Sequence, residues 1–165
     1  MFENLTLYYD PAERRSFCRP DGLWRAWASR YPNLFDRLDV REMETFAPRG
    51  RGYHEWLAAI GLYRLTGYNC LLGKYQLKGA HPKKFEIFGR LVPEEVRALL
   101  PVLGRPQGPD LLMYAPSMDD WFFAEAKGPR EGLTRSQKLL FPRLEEASAK
   151  KIRFVRICPR RRATA

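Results

Sequence analysis

Apolar and polar positions fall into two regimes along this chain. Over residues 1–50, aromatic and basic positions are mixed and broken by Pro11, Pro20, Pro32 and Pro48. Residues 21–31, DGLWRAWASRY, predict a short helix there. Asp21 is placed to cap it, and Leu23, Trp24 and Trp27 share a face. Residues 46–53, FAPRGRGY, have loop composition. From Tyr53 the pattern sharpens. Residues 54–67, HEWLAAIGLYRLTG, predict a mostly apolar helix closed by Gly67. Residues 68–77 read as a strand, and residues 78–90, KGAHPKKFEIFGR, as basic and irregular. Residues 92–102 predict a short helix, with Pro93, Glu94 and Glu95 in its first turn and Pro101 as its stop. Residues 110–116 and 121–127 are two apolar strands joined by the turn SMDD. A helix follows over 134–149, opened by a capping box of Thr134 and Gln137 and carrying Pro142, which should kink or split it. Residues 152–159 alternate Ile152, Phe154, Val155 and Ile157 with Arg153 and Arg156, a last strand.

From Tyr53 the order is helix, strand, insertion, strand, strand, helix, strand: a mixed α/β sheet with helices on its faces. The boundaries read as an N-terminal helical and aromatic extension over 1–52 that packs on the core, a core over 53–159, and a frayed basic tail over 160–165. No internal repeat is evident.

Composition narrows the class. A chain of 165 residues that is 45% hydrophobic can bury a real core. No apolar run reaches the roughly 20 residues of a membrane span, and the N-terminus lacks a signal-peptide pattern, so a cytoplasmic protein of a bacterial cell or phage-infected host is expected. Cys18, Cys70 and Cys158 are widely spaced, which fits reduced thiols rather than a disulfide framework or zinc site. HEWLA at 54–58 begins like a metalloprotease helix, but Ala58 stands where the second histidine is required. With 29 Lys and Arg against 19 Asp and Glu, the net charge is +10. That balance points to a polyanionic partner, and DNA is the expected one.

Chemistry concentrates at the ends of the two apolar strands. Asp110 opens the first; Glu125 and Lys127 close the second. If the strands pair as a hairpin, the start of one lies beside the end of the other, and Glu125 and Lys127 share a face. Two close carboxylates form an oxygen-ligand site suited to Mg2+ or Mn2+, and an adjacent ammonium can position water or meet phosphoryl charge. These are the parts of metal-assisted phosphodiester hydrolysis. The plainer alternative is a turn-capping aspartate beside a solvated strand end.

Pro109-Asp110, fourteen intervening residues and Glu125-Ala126-Lys127 match the PD-(D/E)xK nuclease signature. The continuation through Gly128-Pro129, Leu133-Thr134 and Gln137 into an amphipathic helix resembles the VRR-NUC branch of that superfamily, as found in stand-alone bacterial or phage proteins. The similarity covers about residues 53–157. It implies a restriction-endonuclease-like core, helix-strand-strand-strand-helix-strand, and a Mg2+- or Mn2+-dependent DNA endonuclease. Structure-selective cutting of flaps, branches or four-way junctions is implied, in repair, recombination or phage replication, with a homodimer spanning a junction. The implied site is Asp110, Glu125, Lys127, Gln137 and Glu55, with Asp110, Glu125 and Glu55 at the metal. The rival readings are a module that binds nucleic acid without cutting it, a restriction-type sequence-specific nuclease, and a subunit of a larger complex.

Other residues have simpler explanations beside these. Glu55 also suits a helix N-terminus, and Gln137 is explained by its capping box. Asp119 and Asp120 are expected to form the turn, and RPDG at 19–22 imitates the Pro-Asp motif with no Glu-x-Lys behind it. Residues 150–165 hold seven basic positions and no acid. Lys150, Lys151, Arg153 and Arg156, with Arg135 and Lys138 on the preceding helix, are therefore expected to contact phosphates; the plainer reading is a solvated basic run.

Overall fold

The computed structural model describes residues 3–100 and 108–160. Five strands form one mixed sheet in the order β1-β5-β4-β3-β2. They are β1 (Asn4–Tyr9), β2 (Asn69–Leu72), β3 (Leu111–Tyr114), β4 (Trp121–Lys127) and β5 (Arg153–Pro159). Seven α-helices accompany them among the described residues: α1 (Pro11–Phe17), α2 (Leu23–Arg30), α3 (Arg37–Phe46), α4 (Tyr53–Thr66), α5 (Pro82–Leu91), α6 (Glu94–Arg97) and α7 (Arg135–Ser148). A 3-10 turn, Ala47–Arg49, leads into α4. No helix among the described residues is long and apolar enough to cross a membrane.

β2, β3 and β4 form an antiparallel meander, and α7 carries the chain across to β5, which runs parallel to β4. From α4 onward, the helix-strand-strand-strand-helix-strand sequence is the order expected, and it is compatible with the nuclease-like core. β1 was not expected. It pairs in parallel with the outer side of β5, Leu5 opposite Val155 and Leu7 opposite Ile157. Its alternation is visible in NLTLYY, but the cue is short and lies next to Pro11.

The sheet is buried on both faces. On one, α4 and the N-terminal helices contribute Trp56, Ile60, Phe17 and Trp24 against Leu111, Met113, Phe122, Ala124, Val155 and Ile157. Helix α4 is apolar nearly all round because it lies between the sheet and this outer layer; Phe35 stacks on Trp56 with ring centroids 3.7 Å apart. On the other face, Phe88, Val92 and Val96 from α5 and α6, with Phe141 and Leu144 from α7, cover Leu71, Leu112 and Phe123.

Several local expectations are corrected. Asp21 does not cap α2; Gly22 holds that position without a side-chain hydrogen bond. Residues 82–91 are a helix rather than irregular chain: Pro82 occupies the first turn, and Phe88 and Leu91 supply a buried face. The strand expected over 68–77 stops at Leu72, where Gly73 and Lys74 turn at positive φ. Helix α7 is not split by Pro142. Proline removes only one ladder bond, while Phe141 and Leu144 anchor both sides in the core. The expected stop at Pro101 and the tail from Arg161 lie outside the described residues. Gly67 does close α4, in the left-handed conformation expected of a C-cap glycine.

Candidate active site

The β3–β4 register sets the site. Leu111 pairs with Ala124, so one further step outward puts Asp110 opposite Glu125. Beyond the last rung, side chains replace the backbone ladder. The Asp110 amide donates to Glu125 Oε2 at 3.1 Å, and the Ala126 amide donates to Asp110 Oδ2 at 3.0 Å. Pro109 is held by the buried Tyr75 hydroxyl, which donates to its carbonyl at 2.7 Å. Burial raises the Tyr75 phenol well above its ordinary range, so it remains a donor.

Alternation along β4 gives Glu125 and Lys127 a common face. The Lys127 ammonium lies 2.7 Å from Glu125 Oε1. Gln137, at the third position of α7, donates from Nε2 to the same Oε1 at 2.6 Å and accepts from Lys127 Nζ at 3.1 Å. Its carbonyl also accepts the Thr134 amide at 3.1 Å, closing the capping box. The bond from Thr134 fixes which end of the amide faces the strand, so the Gln137 NH2 must face the carboxylate. The cap and the site share one side chain.

Glu55, in the first turn of α4, completes the set. Burial raises its carboxyl, helped by the charges of Glu125 and Glu131 and opposed by Lys127. Asp110 is raised well above the carboxylate range, by burial first and then by Glu125 and Glu55. Sequence reasoning missed Glu131. Its carboxylate accepts the Gly128 amide at 2.8 Å, and Arg156 Nη1 donates to the Gly128 and Glu131 carbonyls, both at 2.7 Å. This closed loop after Glu-x-Lys has no signature in residue spacing.

Asp110, Glu55 and Glu131 line a cleft of about 530 Å³, to which the N-terminal segment and the loop before α4 contribute Arg14, Met43, Phe46 and Arg51. The donors fit a hard divalent cation. Carboxyls whose burial and mutual repulsion favour protonation lack positive charge, and Lys127 is the ammonium paired with Glu125 here. Asp110 Oδ1 accepts no hydrogen bond from the described residues. The acids are not packed as a tight three-ligand cage, however. Among the described residues that geometry occurs at Asp36, Asp39 and His81. Mg2+ keeps several waters and needs only one or two protein carboxylates, so a looser set with Glu55 acting through water suits it. The Asp36–Asp39–His81 group already has its cation: the Lys84 ammonium bonds Asp39 Oδ1 and the Leu72 carbonyl.

The basic residues expected at phosphates divide. Arg135 and Lys138 are exposed on α7. Lys150 pairs with Asp120 at 2.6 Å, Lys151 with Glu145 at 2.9 Å, and Arg156 holds the Gly128–Glu131 loop. Arg153 is buried, its guanidinium 3.4 Å above the Phe122 ring. These four have structural partners; the arginines that line the cleft without an ion pair or hydrogen bond among the described residues are Arg14 and Arg51. Asp119 accepts from Ser117 in the turn; Asp120 also receives the Tyr68 hydroxyl, and both lie at the opposite end of the hairpin from the acids. No family model matches the chain, and no curated protein or solved structure matches it either.

Proposed function

We propose that this protein is a Mg2+- or Mn2+-dependent DNA endonuclease of the VRR-NUC type its sequence resembles, hydrolysing phosphodiester bonds in branched, flap or four-way junction DNA. The observation that carries this reading is the convergence of Asp110, Glu125, Lys127 and Gln137 in one hydrogen-bonded set, beside Glu55 at a cleft. Simple surface acids would not be tied together across two strands and a helix.

Asp110 and Glu125 would hold the cation, with Glu55 bound through water. When bound, the ion lowers the pKa of a coordinated water and stabilises charge on the phosphoryl oxygens. Lys127 orients the attacking water and meets the charge that develops on phosphorus-bound oxygen. Gln137 keeps the Lys127 ammonium and the Glu125 carboxylate in register. Water is the nucleophile in this reading: Cys70 is buried with its thiol pushed well up, and Cys18 and Cys158 do not line the cleft.

One observation favours a second reading, a domain that binds nucleic acid without cutting it. Glu125 Oε1 is already occupied by both Gln137 and Lys127. A labelled panel of single strand, duplex, flap and four-way junction, incubated with Mn2+, separates the two. Cleavage of a branched member is expected; Asp110→Ala and Lys127→Ala should abolish it while binding stays within about threefold. Tight binding with no cleavage of any substrate would establish the second reading. Unbranched duplex cut at one fixed sequence would point to a restriction-type enzyme.

A further inference from the structure

The lining of the cleft has features that the acid set does not explain. Arg14, from α1, and Arg51, from the loop before α4, line it. Neither guanidinium has an ion pair or hydrogen bond among the described residues, whereas Arg64, Arg97 and Arg156 each bond an oxygen. Lys74, also on the cleft, is paired with Glu42 at 2.5 Å. Two unpaired guanidiniums lining the same cleft as Glu55, Asp110 and Glu131 suit a ligand that brings its own negative charge. The guanidinium fork matches phosphate oxygens better than any other side chain does.

Gln76 is the second, independent feature. It is 6% exposed, it lines the cleft, and its Oε1 is buried with no hydrogen-bond partner. A buried amide oxygen is rarely left in this state. At a cleft wall, an N–H from a ligand can satisfy it. Met43 and Phe46, from α3, add apolar surface to the cleft. The cleft volume lies in the range of small-ligand sites, which suits one nucleotide and not the stacked base pairs of a duplex.

We infer that this cleft holds a subsite for one unpaired nucleotide of the substrate strand, its phosphate held by Arg14 and Arg51 from the N-terminal segment and an N–H of its base received by Gln76 Oε1 from the loop after β2. The inference rests on the nuclease reading for the identity of the strand. It makes the N-terminal segment part of substrate selection: a strand must be free of its complement near the cut to enter.

The test is a fluorescence-anisotropy titration of the full chain, with Ca2+ replacing Mn2+ to suppress turnover. Labelled flap DNA, labelled blunt duplex and a free mononucleotide as competitor are the three probes. Arg14→Ala/Arg51→Ala is expected to weaken flap binding about tenfold to a hundredfold, and Gln76→Leu about tenfold, with duplex affinity moving less than about threefold. Arg51→Ala alone, at an exposed position, keeps the test open if the double variant fails to fold. Flap and duplex affinities falling in parallel, or neither changing, would overturn the subsite. Stronger competition by the mononucleotide than by the flap would overturn its assignment to a strand. The two proposals fail separately: cleavage with flap binding indifferent to Arg14 and Arg51 removes only the subsite. No cleavage, with flap binding still dependent on them, removes only the nuclease reading.

Discussion

Gln137 and Glu125 meet end to end, the amide Nε2 donating to the carboxylate Oε1 at 2.6 Å. Glu125 is 1% exposed, and its carboxyl oxygens are met by this bond, the Lys127 ammonium and the Asp110 amide. Gln137→Leu removes one of the three and leaves Lys127 without its second anchor. The variant should lose about 1–3 kcal/mol of stability, the cost of unmaking a bond to a buried charged group. Turnover should fall more than flap binding. Chemical denaturation beside single-turnover cleavage checks both; an unchanged cleavage rate would reduce Gln137 to a helix cap.

The acids at the cleft should make stability respond to divalent ions. Binding to the folded state alone adds about 1.4 kcal/mol at ten times Kd. The carboxyls of Asp110 and Glu55 are raised, so a cation must displace protons from them, and affinity should increase as pH rises. Thermal melts with Mn2+ across a pH series should show a growing upward shift for the wild type. The shift should be absent in Asp110→Asn; a shift that persists there would place the ion elsewhere.

Asp39 gives a second pH effect, on the fold itself. Burial pushes its carboxyl up to about 6 from the ordinary 3.8, with Lys84 opposing only part of the rise. A raised folded-state value means the proton is held more tightly in the fold. The stabilisation is therefore complete below about pH 4 and lost as pH climbs to about 6, a change of up to about 3 kcal/mol. Denaturation midpoints compared between wild type and Asp39→Asn over that window should diverge as pH rises, the wild type losing stability relative to the variant. Parallel curves would mean Lys84 keeps the carboxylate ionised throughout.

Gly22 is required by space rather than by dihedral angle. A Cβ there would lie 2.3 Å from the Ser16 carbonyl oxygen and 2.6 Å from that of Phe17. Because both contacts are backbone, Gly22→Ala must move α1 against α2, at a cost of about 1–3 kcal/mol. A melting temperature equal to that of the wild type would show that the two helices shift freely. Trp24 fluorescence would report the displaced packing, since Trp24 is fully buried two residues away.

The β3–β4 hairpin was legible in the chain because two apolar runs flank a short polar turn, with Asp110 before the first and Glu125 and Lys127 closing the second. Hairpin pairing then leaves little freedom in where Asp110, Glu125 and Lys127 go. Gln137 was legible as a cap, and the structure shows that capping and contact with Glu125 are one arrangement. Glu131, Gln76, Arg14 and Arg51 were not legible. They reach the cleft through loops and through packing of the N-terminal helices, and neither leaves a period or spacing. Residues 82–91 were missed as a helix because Lys83 and Lys84 mask the face formed by Phe88 and Leu91. Lys84 itself is buried against Asp39, a pairing 45 residues apart that no local pattern encodes.

The pairing of β1 with β5 has a bearing on how the chain acquires its shape. Leu5 must find Val155 across almost the entire polypeptide. Such distant partners close late and slowly compared with a hairpin. During synthesis the meander of β2, β3 and β4 can assemble while residues 4–9 wait with an unmatched edge. Helix α1 is held separately, by Phe17 against Tyr53 and Trp56 of α4, so what waits for residue 159 is the strand edge and not the cleft lining.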